Sequence, residues 1–181
     1  MNISIIVGSL RKESYNKKIA EFLIKKFGGN HNLEIVPIDK LPLFNEDIEE
    51  EPPAEVIQFK KKLKDSDGVI FVSPEYNHSI PGGLKNALDW CSRVDRVLVR
   101  KPTFIIGASN GNVGTARCQS HLVQVLNSPG LMTLNMPNTH VLIPNVQDDF
   151  DEEGNFTNER TINYFDKIMT RFVQWIEKNR D

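Results

Sequence analysis

Cysteine is scarce in this 181-residue chain, which contains only two, and neither belongs to a metal-binding or redox motif. Cys91 and Cys118 lie in apolar segments with helical spacing, which predicts small buried thiols in the reduced state. This usage excludes a secreted scaffold that depends on disulfides. Reduced thiols are typical of an intracellular protein, and we predict a cytoplasmic location.

Long apolar runs are also missing, and no segment approaches the length that a transmembrane helix needs. The apolar run 3–7 is too short for the core of a signal peptide, and no basic residue precedes it. The formal net charge at pH 7 is only -2. So small an excess gives no electrostatic reason to expect nucleic acid or an acidic membrane as a partner.

Several catalytic and nucleotide-binding motifs are absent. The chain has neither G-x-G-x-x-G nor G-x-x-x-x-G-K-[ST], which disfavours a Rossmann dinucleotide site and a P-loop NTPase. Its four histidines show no metal-ligand spacing, and no Ser-His-Asp or Cys-His arrangement is evident. We therefore predict no metal site and no catalytic side chain.

Apolar runs of strand type alternate with helical patterns from end to end. Strands are predicted at 2–7, 33–38, 69–72 and 103–107, with a last pair of extended runs at 131–134 and 139–142. Helices are predicted at 15–27, after Pro52 and Pro53, at 83–93, at 116–126 and at 158–178. No repeat or shift in composition divides the chain, so we predict one domain over residues 1–181.

This alternation predicts an α/β fold with helices on both faces of a doubly wound, five-stranded parallel sheet. Right-handed crossovers leave few topologies for such a chain. With five strands and an early switch point, the flavodoxin-like strand order 2-1-3-4-5 is the one we predict.

Three loops, 8–16, 74–83 and 108–115, follow predicted strands one, three and four. The carboxyl ends of parallel strands form one edge of a sheet, where open α/β sheets bind their ligands. We therefore expect the three loops to meet there. Their convergence is a more specific signal than any one of them.

The first loop carries Arg11 and Lys12, and Ser14 is a plausible cap for the helix that follows. Free N–H groups at a helix start and nearby cations together favour a phosphate. A capped helix with ordinary surface charges has the same appearance, so this loop alone leaves both interpretations open.

The middle loop is unusual in composition. Pro74 and Pro81 remove backbone donors and restrict φ, while Gly82 and Gly83 allow another group to approach the backbone closely. A tyrosine and an asparagine lie between the two prolines, and a merely connecting turn requires neither. We predict that this loop lines a ligand site.

The helix at 83–93 has apolar residues on two sides. Leu84, Leu88 and Cys91 share one face, while Trp90 and Val94 extend an apolar surface away from it. One helix rarely buries both sets against a single sheet face, so we predict a partner subunit at Trp90, most simply in a two-fold homodimer.

Three segments resemble the signatures of the NADPH-dependent FMN reductase family, which includes flavin, quinone, chromate and azo-dye reductases. They are Gly8-Ser9-Leu10-Arg11-Lys12-Glu13-Ser14-Tyr15-Asn16, Pro74-Glu75-Tyr76-Asn77-His78-Ser79-Ile80-Pro81 with 84–90, and Gly107-Ala108-Ser109 with Gly111 and Gly114. The similarity extends from Met1 to about Leu142. It implies the flavodoxin-like fold and a homodimer or homotetramer with the flavin near the interface.

The resemblance also implies which residues bind FMN. Those of the first loop would hold the phosphate: Ser9, Arg11, Ser14, Tyr15 and Asn16. Those of the middle loop would line the isoalloxazine ring: Pro74, Glu75, Tyr76 and Asn77. Ser109 and Gly111 would lie at the pyrimidine end of the ring.

The function implied is an FMN-dependent NAD(P)H oxidoreductase with ping-pong kinetics, using NADPH or NADH and passing electrons to quinones, flavins, azo dyes or chromate. A cofactor that carries the chemistry suits a chain without evident catalytic side chains. A general acid at Glu75 stays an alternative, but we favour a brace for its loop, because hydride transfer to a flavin does not demand an acid.

Two alternatives belong to other classes. A flavodoxin-type electron carrier binds FMN but turns over no substrate of its own. Such carriers are typically strongly acidic, whereas this chain is near neutral and carries Arg11 and Lys12 in the first loop, which favours an enzyme. A regulatory module that binds a nucleotide or phosphosugar is the other alternative, and flavin absorbance of the purified protein distinguishes it.

Overall fold

A parallel sheet of five strands, in the order β2-β1-β3-β4-β5, organises the computed structural model, which describes residues 1–180. All four pairings within the sheet are parallel. The strands are β1 Asn2–Val7, β2 Asn32–Ile35, β3 Gly68–Val72, β4 Pro102–Ala108 and β5 Leu134–Ile143. The predicted flavodoxin-like order is confirmed.

Five α-helices cover the sheet: α1 Tyr15–Phe27, α2 Ala54–Asp65, α3 Gly82–Cys91, α4 Ala116–Leu126 and α5 Glu159–Lys178. Two short 3-10 turns lie at Glu46–Ile48 and Val146–Asp149. Helices α1 and α5 contribute to one hydrophobic core, and α2, α3 and α4 contribute to a second. Helices therefore lie on both faces of the sheet, as predicted.

The two cores follow from the alternation of side chains along a strand. In β1, Ile3 and Ile5 belong to the core under α1 and α5, whereas Ile6 belongs to the core under α2 to α4. In β3, Ile70 and Phe71 divide in the same way. Successive side chains point to opposite faces, so an unbroken apolar strand is buried on both.

The two outer strands depart from the predicted bounds. β2 ends at Ile35, two residues before Pro37, whose missing N–H cannot continue the pairing. β5 is one strand rather than two runs, with a register shift: Thr103 of β4 pairs with Asn135, but Ile105 pairs with His140. Pro137 lies in the segment that loops out, at an edge where a proline and a bulge are tolerated.

Of the apolar surface predicted at Trp90 and Val94, Trp90 is covered by the chain itself, whereas Val94 is 57% exposed. Trp90 is only 2% exposed, its ring meets Phe44 edge-on at 5.1 Å, and its Nε1–H donates to the carbonyl of Pro42 at 2.9 Å. Asn86 also donates to Pro42, so α3 holds the apolar loop before the first 3-10 turn in place. The argument for a partner subunit at Trp90 is therefore wrong, and the homodimer stays a prediction without it.

Within residues 1–180, every helix is too short or too polar to cross a bilayer.

Candidate functional site

The loops after β1, β3 and β4 meet at the carboxyl edge of the sheet. Ser9 Oγ of the first loop lies 3.5 Å from the hydroxyl of Tyr76 in the middle loop. Asn16, at the start of α1, bonds to Ala108 at the end of β4. The three sequence segments therefore form one continuous surface, as their strand positions required.

The first loop leads into a helix start that suits an anion. Ser14 has an extended backbone, and its side chain accepts a hydrogen bond from the N–H of Lys17 at 3.3 Å, so it caps α1 as predicted. The first N–H groups of a helix have no partner within it. The first turn of α1 contains no acidic residue, and Arg11 and Lys12 are exposed beside it. The helix dipole and the two cations thus both favour an anion at the start of α1.

Asn16 contributes to this loop in a way that the sequence did not indicate. Its side chain is buried, donates from Nδ2 to the carbonyl of Ala108 at 2.9 Å and accepts at Oδ1 from the N–H of Ala108 at 3.1 Å. Both polar groups are therefore occupied in joining α1 to β4. What Asn16 can offer a phosphate is its backbone N–H.

Tyr15 packs against the segment that follows β5. Its ring lies 5.5 Å from that of Phe150, and the ammonium group of Lys18 lies 5.7 Å from both ring centres. The position of Tyr15 in the first turn of α1 places its N–H, like that of Asn16, among the free donors of the helix start.

The middle loop is a tight hairpin rather than an irregular connection. Tyr76 and Ser79 pair as an antiparallel bridge through two backbone hydrogen bonds of 3.0 Å. The residues between them, Asn77 and His78, have φ angles of 50° and 62°. Positive φ at both central positions is the signature of a type I′ turn. This turn leaves Tyr76 46% exposed at the sheet edge.

Glu75 acts as a cap for a helix that is distant in sequence. Its Oε2 accepts hydrogen bonds from the N–H groups of Arg117 and Cys118, both at 3.0 Å, and its Oε1 lies 3.6 Å from the guanidinium of Arg117. Thr115 precedes α4 with φ 71° and makes no capping bond. The carboxylate of Glu75 accepts the capping hydrogen bonds that Thr115 does not accept. It therefore braces the middle loop against α4.

The loop after β4 is held mainly by its own backbone and by β5. The hydroxyl of Ser109 donates to the carbonyl of Gly111 at 3.1 Å, and the N–H of Ser109 donates to Ile143 at 3.0 Å. Gly114 has φ 58°, and a Cβ there would lie 3.1 Å from the nitrogen of Pro144. A Cβ on Gly111, by contrast, would meet no atom within 4 Å. The backbone at Gly111 therefore borders open space.

One contact of this edge was missed by sequence analysis. His121, on α4, lies with its Nδ1 2.9 Å from the hydroxyl of Ser79 in the hairpin. The sequence assigns His121 no role, because its partner lies on another element. No local pattern signals such a pair.

Neither cysteine is a nucleophile in this environment. Cys118 is fully buried beneath the edge, with its Sγ 3.7 Å from Ser73 Oγ, and burial raises the pKa of its thiol to about 11. Burial likewise raises the pKa of Cys91 to about 12. Both thiols are unpaired and buried, as predicted.

The strand order and the loops at the carboxyl edge define a flavodoxin-like α/β protein. Residues 1–148 match the family described as NADPH-dependent FMN reductase, and the chain belongs to that family.

Its relatives agree with this assignment. A 2-hydroxy-1,4-benzoquinone reductase from a Burkholderia species is 37% identical over 99% of this chain and 98% of its own length. The NADH:(hydroxy)cinnamate reductase subunit CrdA of Vibrio ruber is 37% identical over 98% of this chain and 88% of its own length. The flavoenzyme NAD(P)H:(acceptor) oxidoreductase FerB of Paracoccus denitrificans superposes with a TM-score of 0.88, at 33% identity over 98% of both chains. The chain is thus an FMN-dependent NAD(P)H oxidoreductase.

Proposed function

We propose that the three loops at the carboxyl edge hold FMN, and that NAD(P)H and a flat, electron-poor acceptor use one slot beside the flavin in turn. The observation that carries this proposal is the junction of the loops, through Asn16 with Ala108 and Glu75 with α4. Such cross-connections are expected where three separate loops must present one rigid surface.

A phosphomonoester fits the first loop. The free N–H groups of the first turn of α1 and the hydroxyls of Ser9 and Ser14 can donate hydrogen bonds, and the guanidinium of Arg11 can add a charge-assisted one. Tyr15 and Asn16 would contribute as members of that turn. This donor set is matched to an anion with several acceptor oxygens.

A flat ring fits between the other two loops. Pro74, Glu75, Tyr76 and Asn77 would form one side, with the exposed ring of Tyr76 available for stacking. Ser109 and Gly111 would form the other side, where the missing side chain of Gly111 leaves the backbone accessible.

When bound, FMN would supply the redox chemistry, a two-electron transfer from NAD(P)H to the acceptor. The residues of the chain orient the reactants. Tyr76 would form the shared wall of the slot, and backbone N–H groups of the loop after β4 would stabilise negative charge at the pyrimidine end. Glu75 would move no proton, because its carboxylate is engaged with α4.

The family description and the relatives also support a choice of reductant and acceptor. NADPH as reductant follows the family description, with NADH as the alternative indicated by the Vibrio relative. Quinones, flavins, azo dyes and chromate are the proposed acceptors, and quinones are supported by the Burkholderia relative. The unpaired thiols fit the reducing cytoplasm.

A homodimer or homotetramer is the proposed assembly. Three exposed apolar side chains, one on each loop of the edge, support it: Leu10 is 57% exposed, Tyr76 46% and Val113 46%. A second copy that covers this edge would bury them. Sedimentation at micromolar concentration tests the assembly, and a monomer there contradicts it.

Steady-state kinetics test the shared slot. The reacting atoms must approach to about 3–3.5 Å, which leaves no room for reductant and acceptor together. We therefore expect purified protein with bound FMN to oxidise NADPH with a quinone, and to give parallel double-reciprocal lines when both are varied. Tyr76→Ala should slow both half-reactions in stopped flow, whereas Tyr164→Ala on α5 should slow neither. Intersecting lines would place the acceptor at a separate site, and failure to bind FMN would contradict the function itself.

A further inference from the structure

The hairpin that carries Tyr76 is closed by its own two backbone hydrogen bonds, but its turn is exposed. Tyr76, Asn77 and His78 are all exposed, and the two central residues adopt a left-handed backbone, which is uncommon for residues other than glycine. The 3.5 Å contact between Tyr76 and Ser9 is long for a hydroxyl pair. The position of the hairpin must therefore be determined by contacts elsewhere.

Helix α4 supplies two such contacts, one on each side of the hairpin. Glu75 precedes Tyr76 and binds the N–H groups at the start of α4, and Ser79 closes the hairpin and binds His121 at 2.9 Å. Cys118 and His121 are three residues apart, so the two attachment points lie one turn apart on the same side of the helix.

The contact between His121 and Ser79 is compatible with both charge states of the imidazole. In the neutral tautomer protonated at Nε2, Nδ1 accepts from the serine hydroxyl, and in the cation Nδ1–H donates to the serine oxygen. The contact can therefore brace the hairpin with either side chain as the donor.

We propose that His121 and Glu75 are positioning residues for the reaction. They act through Ser79 and the hairpin backbone to fix the ring of Tyr76 at the wall of the flavin slot. This inference rests on the proposed function, because it requires Tyr76 to line that slot. Neither side chain needs to touch the substrate.

The contact between His121 and Ser79 is a better test than Glu75, because neither of its side chains belongs to the two hydrophobic cores. We expect His121→Ala and Ser79→Ala each to lower kcat by about 3- to 10-fold, the range of one lost hydrogen bond. The double variant should be no worse than either single variant, since both changes break the same contact. His121→Asn places an amide near the position of Nδ1, and it should restore at least half of the wild-type kcat.

Two further readouts separate positioning from general damage. The absorbance and circular dichroism of bound FMN should shift in His121→Ala, because the neighbouring tyrosine moves, while FMN is still retained. His140→Ala, which removes an exposed histidine on β5, should change neither kcat nor the spectrum.

Glu75→Gln retains an acceptor oxygen for α4, so it should lose less activity than Glu75→Ala. Additive effects of His121→Ala and Ser79→Ala, or unchanged kcat and spectra with FMN bound, would overturn the inference. A wild-type protein that binds no FMN would instead contradict the proposed function.

Discussion

Asn16 and Ala108 form a closed pair of hydrogen bonds between the first turn of α1 and the end of β4. The amide of Asn16 donates to the carbonyl of Ala108 at 2.9 Å and accepts from its N–H at 3.1 Å, with both residues buried. The side chain of Asn16 thus pairs with the backbone of Ala108, the residue at which β4 ends. The pair joins the start of α1 to the loop of Ser109.

Replacing Asn16 by alanine should be costly. The N–H and carbonyl of Ala108 would then be buried without these partners. We therefore expect the free energy of unfolding to fall by about 1–3 kcal/mol. Asn30→Ala, at an exposed asparagine beyond α1, is the matched control and should change stability by less than about 0.5 kcal/mol. Urea denaturation measures both. Equal stability of the two variants would show that solvent replaces the lost bonds.

Arg11→Glu tests the proposed binding of a phosphate by the first loop. The change reverses a charge beside the start of α1, so FMN should bind more weakly by on the order of 1–3 kcal/mol, and riboflavin, which has no phosphate, much less so. Lys178→Glu carries the same charge change near the end of α5 and serves as the control. Fluorescence titration measures both flavins. Equal losses of affinity for FMN and riboflavin would show that the phosphate does not bind at this loop.

Trp90 should affect folding rather than assembly. Trp90→Phe keeps a ring beside Phe44 but loses the hydrogen bond to Pro42, and we expect a loss of about 0.5–1.5 kcal/mol. Trp90→Glu buries a charge without a partner and should unfold the protein instead of releasing monomers. Thermal melting and sedimentation distinguish the two effects. A Trp90→Glu variant that stays folded but becomes monomeric would show that Trp90 lies in a subunit interface.

The buried thiols should make stability sensitive to alkaline pH. The pKa of Cys118 is raised to about 11 and that of Cys91 to about 12, from an ordinary value of 9.0. Above pH 9 the unfolded chain releases these protons while the folded chain keeps them, so the free energy of unfolding falls as pH rises toward 11. Cys118→Ala should reduce this slope. In native protein at pH 8, thiol reagents should react far more slowly than after unfolding, and rapid native labelling would contradict the burial argument.

The sequence alone was sufficient for the strand order and for the edge of the sheet at which the three loops meet. Unbroken apolar strands such as β1 require a sheet covered on both faces, and the crossover rules then leave few arrangements. Motifs placed directly after strands one, three and four must lie on one edge. These conclusions depend on local periodicity and chain order, which a sequence states directly.

The roles of individual side chains were decided by tertiary structure. Trp90 looked unpartnered because the loop that covers it, around Pro42, lies more than forty residues earlier in the chain. The side chain of Asn16, which we predicted to hold a phosphate, bonds instead to Ala108, and Glu75 caps a helix that begins at Ala116. Periodicity shows which face of an element is apolar, but it does not show which distant segment will satisfy a given donor, acceptor or ring. That pairing exists only once the crossovers have brought the segments together.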